Sequence, residues 1–482
     1  MTHFKPFGAA GLWRTIQVSL LLFLLASAWA AHGADLAITG ATLLDGRGGK
    51  PIRDSVLVID NERIVAVGRA RDIKIPDGTE TIDARDKFVI PGLIDANLHL
   101  FLNRDLETLI KYEDRYHEII IEAAQITLKA GQTTVFDTWG PRAALVRARE
   151  AINAGEMPGS RIFLAGNIIG YGGLFSTDFN AAAAAHVSKA FVKRTDAAWE
   201  QGTGQHLLWA NPEEVRQAVK DYTRLDVDFL KYGASGHALY EMRFISFSPR
   251  VQKIIIEEGH KAGLTVQTHT STTESLDMAI DAGVDILTHC GVSGTSTPIA
   301  DETIRKMAER KIPCSVLPVT QRRHDAMLAA DPDDPMANYI KTMKINHRKM
   351  IEAGVVMLVS TDGGIRNPVL AAEATGVAAV EVDSRTELGE GLFNALIALE
   401  ELGMEPMELL KAVTSNTASA YHKSDEFGML EPGKLADLVI LDQNPLESAR
   451  HYRSIHQVIK QGKIIDTAVL PLAPIISSLE VE

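Results

Sequence analysis

Residues 93–99 read Leu-Ile-Asp-Ala-Asn-Leu-His (LIDANLH), a short apolar run that closes on side chains able to bind a metal ion. Its length suits a strand rather than a helix, and strand alternation directs Asn97 and His99 the same way. Seven further short apolar runs follow, at Thr133–Asp137, Arg161–Ala165, Asp228–Tyr232, Thr265–His269, Asp285–His289, Ile312–Leu317 and Val356–Thr361. Helical stretches lie between and after them. NPEEVRQAVKDY (211–222) opens with an Asn-Pro start signal, and PMELLKAVTSNTASAY (406–421) reads as one helix. Eight strands alternating with helices predict an α/β chain whose residues 93–424 form a (β/α)8 TIM barrel, in preference to an open doubly wound sheet. No G-x-G-x-x-G follows the first strand and no G-x-x-x-x-G-K-[ST] occurs, so nucleotide binding has no support.

Either side of this region the texture is short strands and tight turns. LAITGATLLDG (36–46), SVLVI (55–59), RIVAVG (63–68) and TIDARDKFVI (81–90) precede it; ADLVILD (436–442) and QVIKQGKIID (457–466) follow. They predict one small β-sandwich domain assembled from both chain ends, residues 31–92 and 425–468. The tail, 469–482, is apolar and interrupted by prolines, and either covers a neighbouring surface or hangs loose. At the other end, Lys5 and Arg14 precede the apolar run Val18–Ala28 and the small-x-small site Ala28-Trp29-Ala30. That pattern predicts a cleaved signal peptide over residues 1–30, since the run is short of the roughly 20 residues a spanning helix needs. The expected product is exported, periplasmic or secreted, and keeps no membrane anchor.

Composition narrows the function. With 46% hydrophobic and 23% charged residues the 482-residue chain has a globular balance. Its formal charge of −13 argues against nucleic-acid binding. Only Cys290 and Cys314 are available as thiols, which excludes a disulfide scaffold or a Cys-rich zinc module. Both read as separate buried core thiols, not as a disulfide. Any metal must therefore be held by His, Asp, Asn or a modified Lys.

In a barrel of this type the reacting groups stand at the C-terminal ends of the strands. The first predicted strand ends in Asn97 and His99, the fourth carries Lys231, the fifth ends at His269, the sixth at His289 and the eighth at Asp362. Any one histidine could be structural; four such strand ends together point to a metal site. Burial beside a dication disfavours the ammonium form of Lys231. Once neutral it can take up carbon dioxide as a carbamate, a carboxylate-like group able to bridge two metals.

These residues resemble the metal-dependent amidohydrolase superfamily: VIPGLID (89–95) before the His-bearing pair, Lys231 in DFLKYG, THT around His269, LTHC around His289, STDGG around Asp362, and the return GMLEPGKLADLVILD (428–442). The texture is most similar to its imidazolonepropionase-like and Xaa-Pro dipeptidase-like members. The resemblance implies two divalent ions, with zinc the expected metal. His99 and Asp362 would hold one, His269 and His289 the other, and carboxylated Lys231 would bridge them. At residue 97 the family's usual His-x-His becomes Asn-x-His, and an amide oxygen implies weaker binding or a harder metal. Such variants resemble the subgroup of phenylurea and thiocarbamate hydrolases.

The expected function is hydrolysis of a C–N amide-type bond in a small molecule, whether peptide, N-acyl amino acid, aryl amide, urea or carbamate. Metal-activated hydroxide would attack the carbonyl, with Asp362 as general base and then acid. Tyr171, in the Gly-rich loop GNIIGYGG, and His237, in GASGH, are candidate substrate contacts. Arg322, Arg323 and His324 read first as a solvated charge run. The resemblance further implies a homo-oligomer. A mononuclear deaminase of the same superfamily, or a non-catalytic binding protein with a decayed site, are the alternatives.

Overall fold

The computed structural model describes residues 34–102, 105–236, 244–292, 297–365 and 382–477. The predicted signal peptide and His237 lie outside the described residues.

Strands from both ends of the chain share one eight-stranded sheet. Its N-terminal members are β1 (Leu36–Leu43), β2 (Ile52–Asp60), β3 (Arg63–Arg69), β4 (Glu80–Asp83) and β5 (Phe88–Pro91). The parallel region supplies β6 (Leu93–Leu98), β7 (Gln132–Asp137), β8 (Arg161–Leu164), β9 (Ile168–Ile169), β10 (Leu230–Gly233), β11 (Val266–His269), β12 (Ile286–Thr288), β13 (Cys314–Val316) and β14 (Met357–Val359). The chain then returns through β15 (Leu438–Leu441), β16 (Ile455–Lys460) and β17 (Lys463–Ile465). The order in the composite sheet is β17-β16-β15-β5-β1-β2-β3, with β4 and β5 succeeding one another along the same edge of β1. β5 therefore lies between β1, an N-terminal neighbour, and β15, whose Leu438 pairs with Pro91 and Leu441 with Phe88.

All eight predicted strands of the central region are present, most of them shorter than expected. They form two parallel arcs, β6-β7-β8 and β9 through β14 in chain order. The run Arg161–Ile169 contributes to both: β8 pairs with β7, and β9 pairs with β10. At the other junction the Asp362 amide donates to the Asn97 carbonyl (2.9 Å) and the His99 amide to that of Gly363 (2.8 Å). The space between the strands is filled by Ile94, Ala96, Phe136, Phe229, Ile286 and Leu358, closed by Tyr421. The Tyr421 ring stacks on Phe136 with centroids 3.6 Å apart, and its hydroxyl bonds the Ala96 carbonyl (2.7 Å).

Asn211 caps the helix Pro212–Tyr222 as its sequence implies, accepting from the Glu213 and Glu214 amides while Glu214 reaches back to the Asn211 amide. The stretch 406–421 departs from expectation: it is two helices, Pro406–Ala412 and Ser415–Ala420. Thr414 leaves helical geometry (φ −138°, ψ −94°), and the Ser415 hydroxyl bonds the Gly46 carbonyl (2.6 Å), a tertiary partner no local pattern announces. The tail takes the covering role. One face of the helix Tyr116–Lys129 grips it: Lys129 Nζ donates to the Leu470 carbonyl, Gln125 Oε1 accepts from the Leu472 amide, and the buried Glu122 carboxylate accepts from the Ile476 and Ser477 amides and the Ser477 hydroxyl. The cysteine reading is corrected too. Cys290, just beyond β12, and Cys314, the first residue of β13, have Cα atoms 5.9 Å apart and are joined as a disulfide. Parallel pairing of β12 with β13 brings them together across 24 residues of chain. Among the described residues no helix is long and apolar enough to cross a membrane.

Candidate metal and catalytic centre

Six residues singled out in the sequence converge at one end of the parallel strands. Asp362 Oδ1 is the meeting point: Asn97 Nδ2 donates to it (3.0 Å), His99 Nε2 lies 3.1 Å away and His289 Nε2 3.8 Å away. The His269 ring packs edge-on against that of His289, centroids 4.9 Å apart. Lys231 Nζ donates to Asn97 Oδ1 (2.9 Å) and to Thr138 Oγ1 (3.0 Å), and the Thr138 hydroxyl donates to Asn97 Oδ1 (2.5 Å). All are buried except Asp362, whose side chain is 26% exposed and marks the opening. His289 (φ 59°) and Asp362 (φ 54°) both occupy left-handed backbone, which costs free energy in non-glycine residues and clusters at functional sites.

Residues that sequence reasoning passed over hold this arrangement. Asp95 links the first and last parallel strands, accepting from the Asn97 amide (3.1 Å), the Thr361 amide (3.2 Å) and the Thr361 hydroxyl (2.6 Å). Asp137 accepts from the Leu100 and Trp139 amides. The available signal was polar character inside apolar strands, in LIDANL and QTTVFD.

Burial controls the charges. Desolvation raises the Asp95 carboxyl to about 7 and that of Asp137 to about 8. It lowers Lys231 to about 8, toward the neutral amine. Desolvation likewise lowers His99, outweighing the nearby Asp362. Burial alone would raise Asp362, but His289, His99 and Arg385 together hold its carboxyl well below the usual range.

Among the described residues no group of three or more His, Cys, Asp or Glu stands as a finished ligand set; the side chains are bonded to one another. The donor chemistry nonetheless fits a divalent cation. The Trp139 carbonyl, which can only accept, faces His99 Nδ1 at 3.2 Å. In the neutral ring favoured by burial, the Nδ1–H is thus spent on that carbonyl, and the Nε2 lone pair points at a carboxylate oxygen. Two facing acceptors need a proton or a cation between them, and a histidine anchored through its other nitrogen is a common metal-ligand arrangement. Asn97 turns its oxygen to Lys231 and Thr138 and its nitrogen to Asp362, so coordination through the oxygen beside Asp362 requires the amide to turn over.

The weaker candidates separate. Tyr171 packs edge-on against His269 (5.6 Å), but its hydroxyl donates to the Ser235 carbonyl (2.7 Å), leaving the ring to face the site. Arg322 is a surface residue paired with Asp383, and His324 is buried against the Ala337 carbonyl.

Residues 88–465 match the model of the amidohydrolase family. The structure of a molinate hydrolase superposes with a TM-score of 0.88 at 36% identity, covering 94% of this chain and 99% of that one. Phenylurea hydrolase B gives 0.86 at 33%, covering 92% and 100%. Ochratoxinase of Aspergillus niger is 25% identical over 457 residues, 89% of this chain and 87% of its own. The TIM-barrel α/β fold is shared with the structural neighbours. The chain belongs to the amidohydrolase family.

Proposed function

We propose that the protein is a metal-dependent hydrolase that cleaves a C–N bond of the urea, carbamate or aryl-amide type. The carrying observation is the convergence of His99, His289 and Asn97 on Asp362 Oδ1. Likeness to molinate hydrolase and phenylurea hydrolase B above 30% identity over more than nine-tenths of the chain supports the bond type. In this reading the parallel arcs form a closed (β/α)8 barrel and the composite sheet curls into a β-sandwich. The protein is exported, and it works as a homo-oligomer.

His99, Asp362, His269 and His289, with Asn97 and a carboxylated Lys231, would hold two divalent ions, most simply zinc. Such ions lower the pKa of water to near neutrality and polarise a carbonyl. The protein's part is proton handling and orientation. Asp362 is ionised at neutral pH, so it can take a proton from water as the oxygen adds to the substrate carbonyl carbon. It then returns that proton to the nitrogen as the C–N bond breaks, giving two fragments. Asp95 and the paired backbone amides keep Asp362 and His99 in register.

The test is hydrolysis by metal-loaded protein of aryl ureas and carbamates against N-acyl amino acids and Xaa-Pro dipeptides, with metal content measured in parallel. Cleavage into two organic fragments, abolished in a folded Asp362→Asn variant, is expected. Ammonia release without a second fragment, or full activity in that variant, overturns the reading.

A further inference from the structure

A closed circuit of side chains runs round the site. From Asp362 it passes to His99, then ring to ring to Trp139 (centroids 6.1 Å), Phe179 (3.9 Å), Tyr171 (6.1 Å), His269 (5.6 Å) and His289 (4.9 Å), and so back to Asp362. Four of its seven members belong to the proposed ligand set. The other three, Trp139, Phe179 and Tyr171, are aromatic and take no part in the proton handling. We infer that this arc binds the flat, uncharged aryl group of an N-aryl amide or urea, and that Phe179 selects it; the inference rests on the hydrolase reading above.

Three observations carry it. Trp139 and Tyr171 are fully buried, but Phe179 is only half-buried. The loop that presents it is built rigidly. The Gly172 amide donates to Asp178 (3.0 Å), the Gly173 amide to Glu200 (3.0 Å), the Phe175 amide to Asp196 (2.8 Å) and the Phe179 amide to the Ser176 carbonyl (3.2 Å). A side chain at Gly233, two residues beyond Lys231, would run into the Tyr171 ring, so glycine there lets that ring lie across the strand end. The arc is thus held in place as a surface next to the metal-binding side chains, where the substituent on the scissile nitrogen would fall.

The charges agree with an uncharged ligand. The Asp178 carboxylate beside the arc is committed to the Gly172 amide and the Gln205 amide group, and the Arg385 guanidinium donates to the Thr361 carbonyl (2.7 Å). The buried indole N–H of Trp139 has no hydrogen-bond partner among the described residues, leaving one donor in an otherwise apolar arc. Offset or edge-on packing of a substrate ring on Phe179 suits the preferred geometry of aromatic pairs.

The experiment compares kcat/KM for an N-phenyl and an N-alkyl urea, matched in the rest of the molecule, in the wild type, Phe179→Leu and Phe179→Ala. Leucine keeps apolar bulk and guards against a folding defect, which thermal melting also reports. The aryl-to-alkyl ratio is expected to fall about ten-fold in both variants, the scale of one lost aromatic contact, mainly through KM. An unchanged ratio in folded variants overturns the inference while leaving the hydrolase reading intact. If the wild type turns over neither urea, the hydrolase reading is decided by the wider substrate panel and the arc by calorimetric titration with the same phenylurea: equal binding by wild type and Phe179→Leu, or none by wild type, refutes it.

Discussion

Replacing His347 by leucine removes an imidazole that the fold holds against protonation. The ring is buried, packs against Gly291, and neither nitrogen has a hydrogen-bond partner among the described residues. Burial first, and the Arg385 charge second, bring its pKa down to about 4 from an ordinary 6.5. The unfolded chain takes up the proton below about 6.5 while the folded chain refuses it until about 4, so stability is lost as pH falls through that window and the loss levels off below it. A shift of this size, at about 1.4 kcal/mol per pKa unit, corresponds to about 3 kcal/mol. Other groups titrate over the same range in both proteins, so the informative quantity is the difference in unfolding free energy between wild type and His347→Leu, from urea denaturation at a series of pH values. That difference should move in the variant's favour by about 3 kcal/mol from pH 7 to pH 4. His347→Asn, which is smaller, gives the same comparison without crowding Gly291. A difference that stays constant across the window refutes the reasoning.

Thr138→Val removes the hydroxyl shared by Asn97 and Lys231; it should cost about 1–3 kcal/mol of stability for the unsatisfied buried partners and lower kcat with little change in KM, read by steady-state kinetics on whichever compound of the proposed panel is turned over. Glu122→Ala unties the amides of Ile476 and Ser477, so limited proteolysis should clip the tail from residue 470 onward faster than in wild type while the remaining core melts as before. Asp437→Ala strands the Arg161 guanidinium, 2.6 Å from the carboxylate and nearly buried; loss of such a buried partner costs about 3–5 kcal/mol, measurable by chemical denaturation. Arg161→Met combined with Asp437→Leu should recover much of that loss.

The parallel strands were readable because each carries a short apolar run, several of them closed by a polar or ionisable residue, and Asn97, His99, Lys231, His269, His289 and Asp362 stand out against such runs. What was not readable depends on distant partners. The break at Thr414 follows from a bond between Ser415 and Gly46. The pairing of Cys290 with Cys314 depends on β12 and β13 lying side by side, which spacing alone does not supply. Phe179 sits in an irregular loop, where no periodicity separates a substrate-facing ring from filler. Asp95 and Asp137 were passed over because a carboxylate inside a strand looks unfavourable until its backbone donors are visible.

The placement of β5 between β1 and β15 has a consequence for biosynthesis. Phe88–Pro91 leaves the ribosome nearly 350 residues before Leu438–Leu441, its partner in the sheet. At about 5–20 residues per second, that apolar edge waits for tens of seconds while the whole parallel region is made. The N-terminal strands can pair among themselves during that time, but β5 gains its second neighbour only after residues 438–441 have been made. Final assembly of this sheet therefore waits for β15, and a nascent chain stalled before residue 438 should present β5 to holdase chaperones.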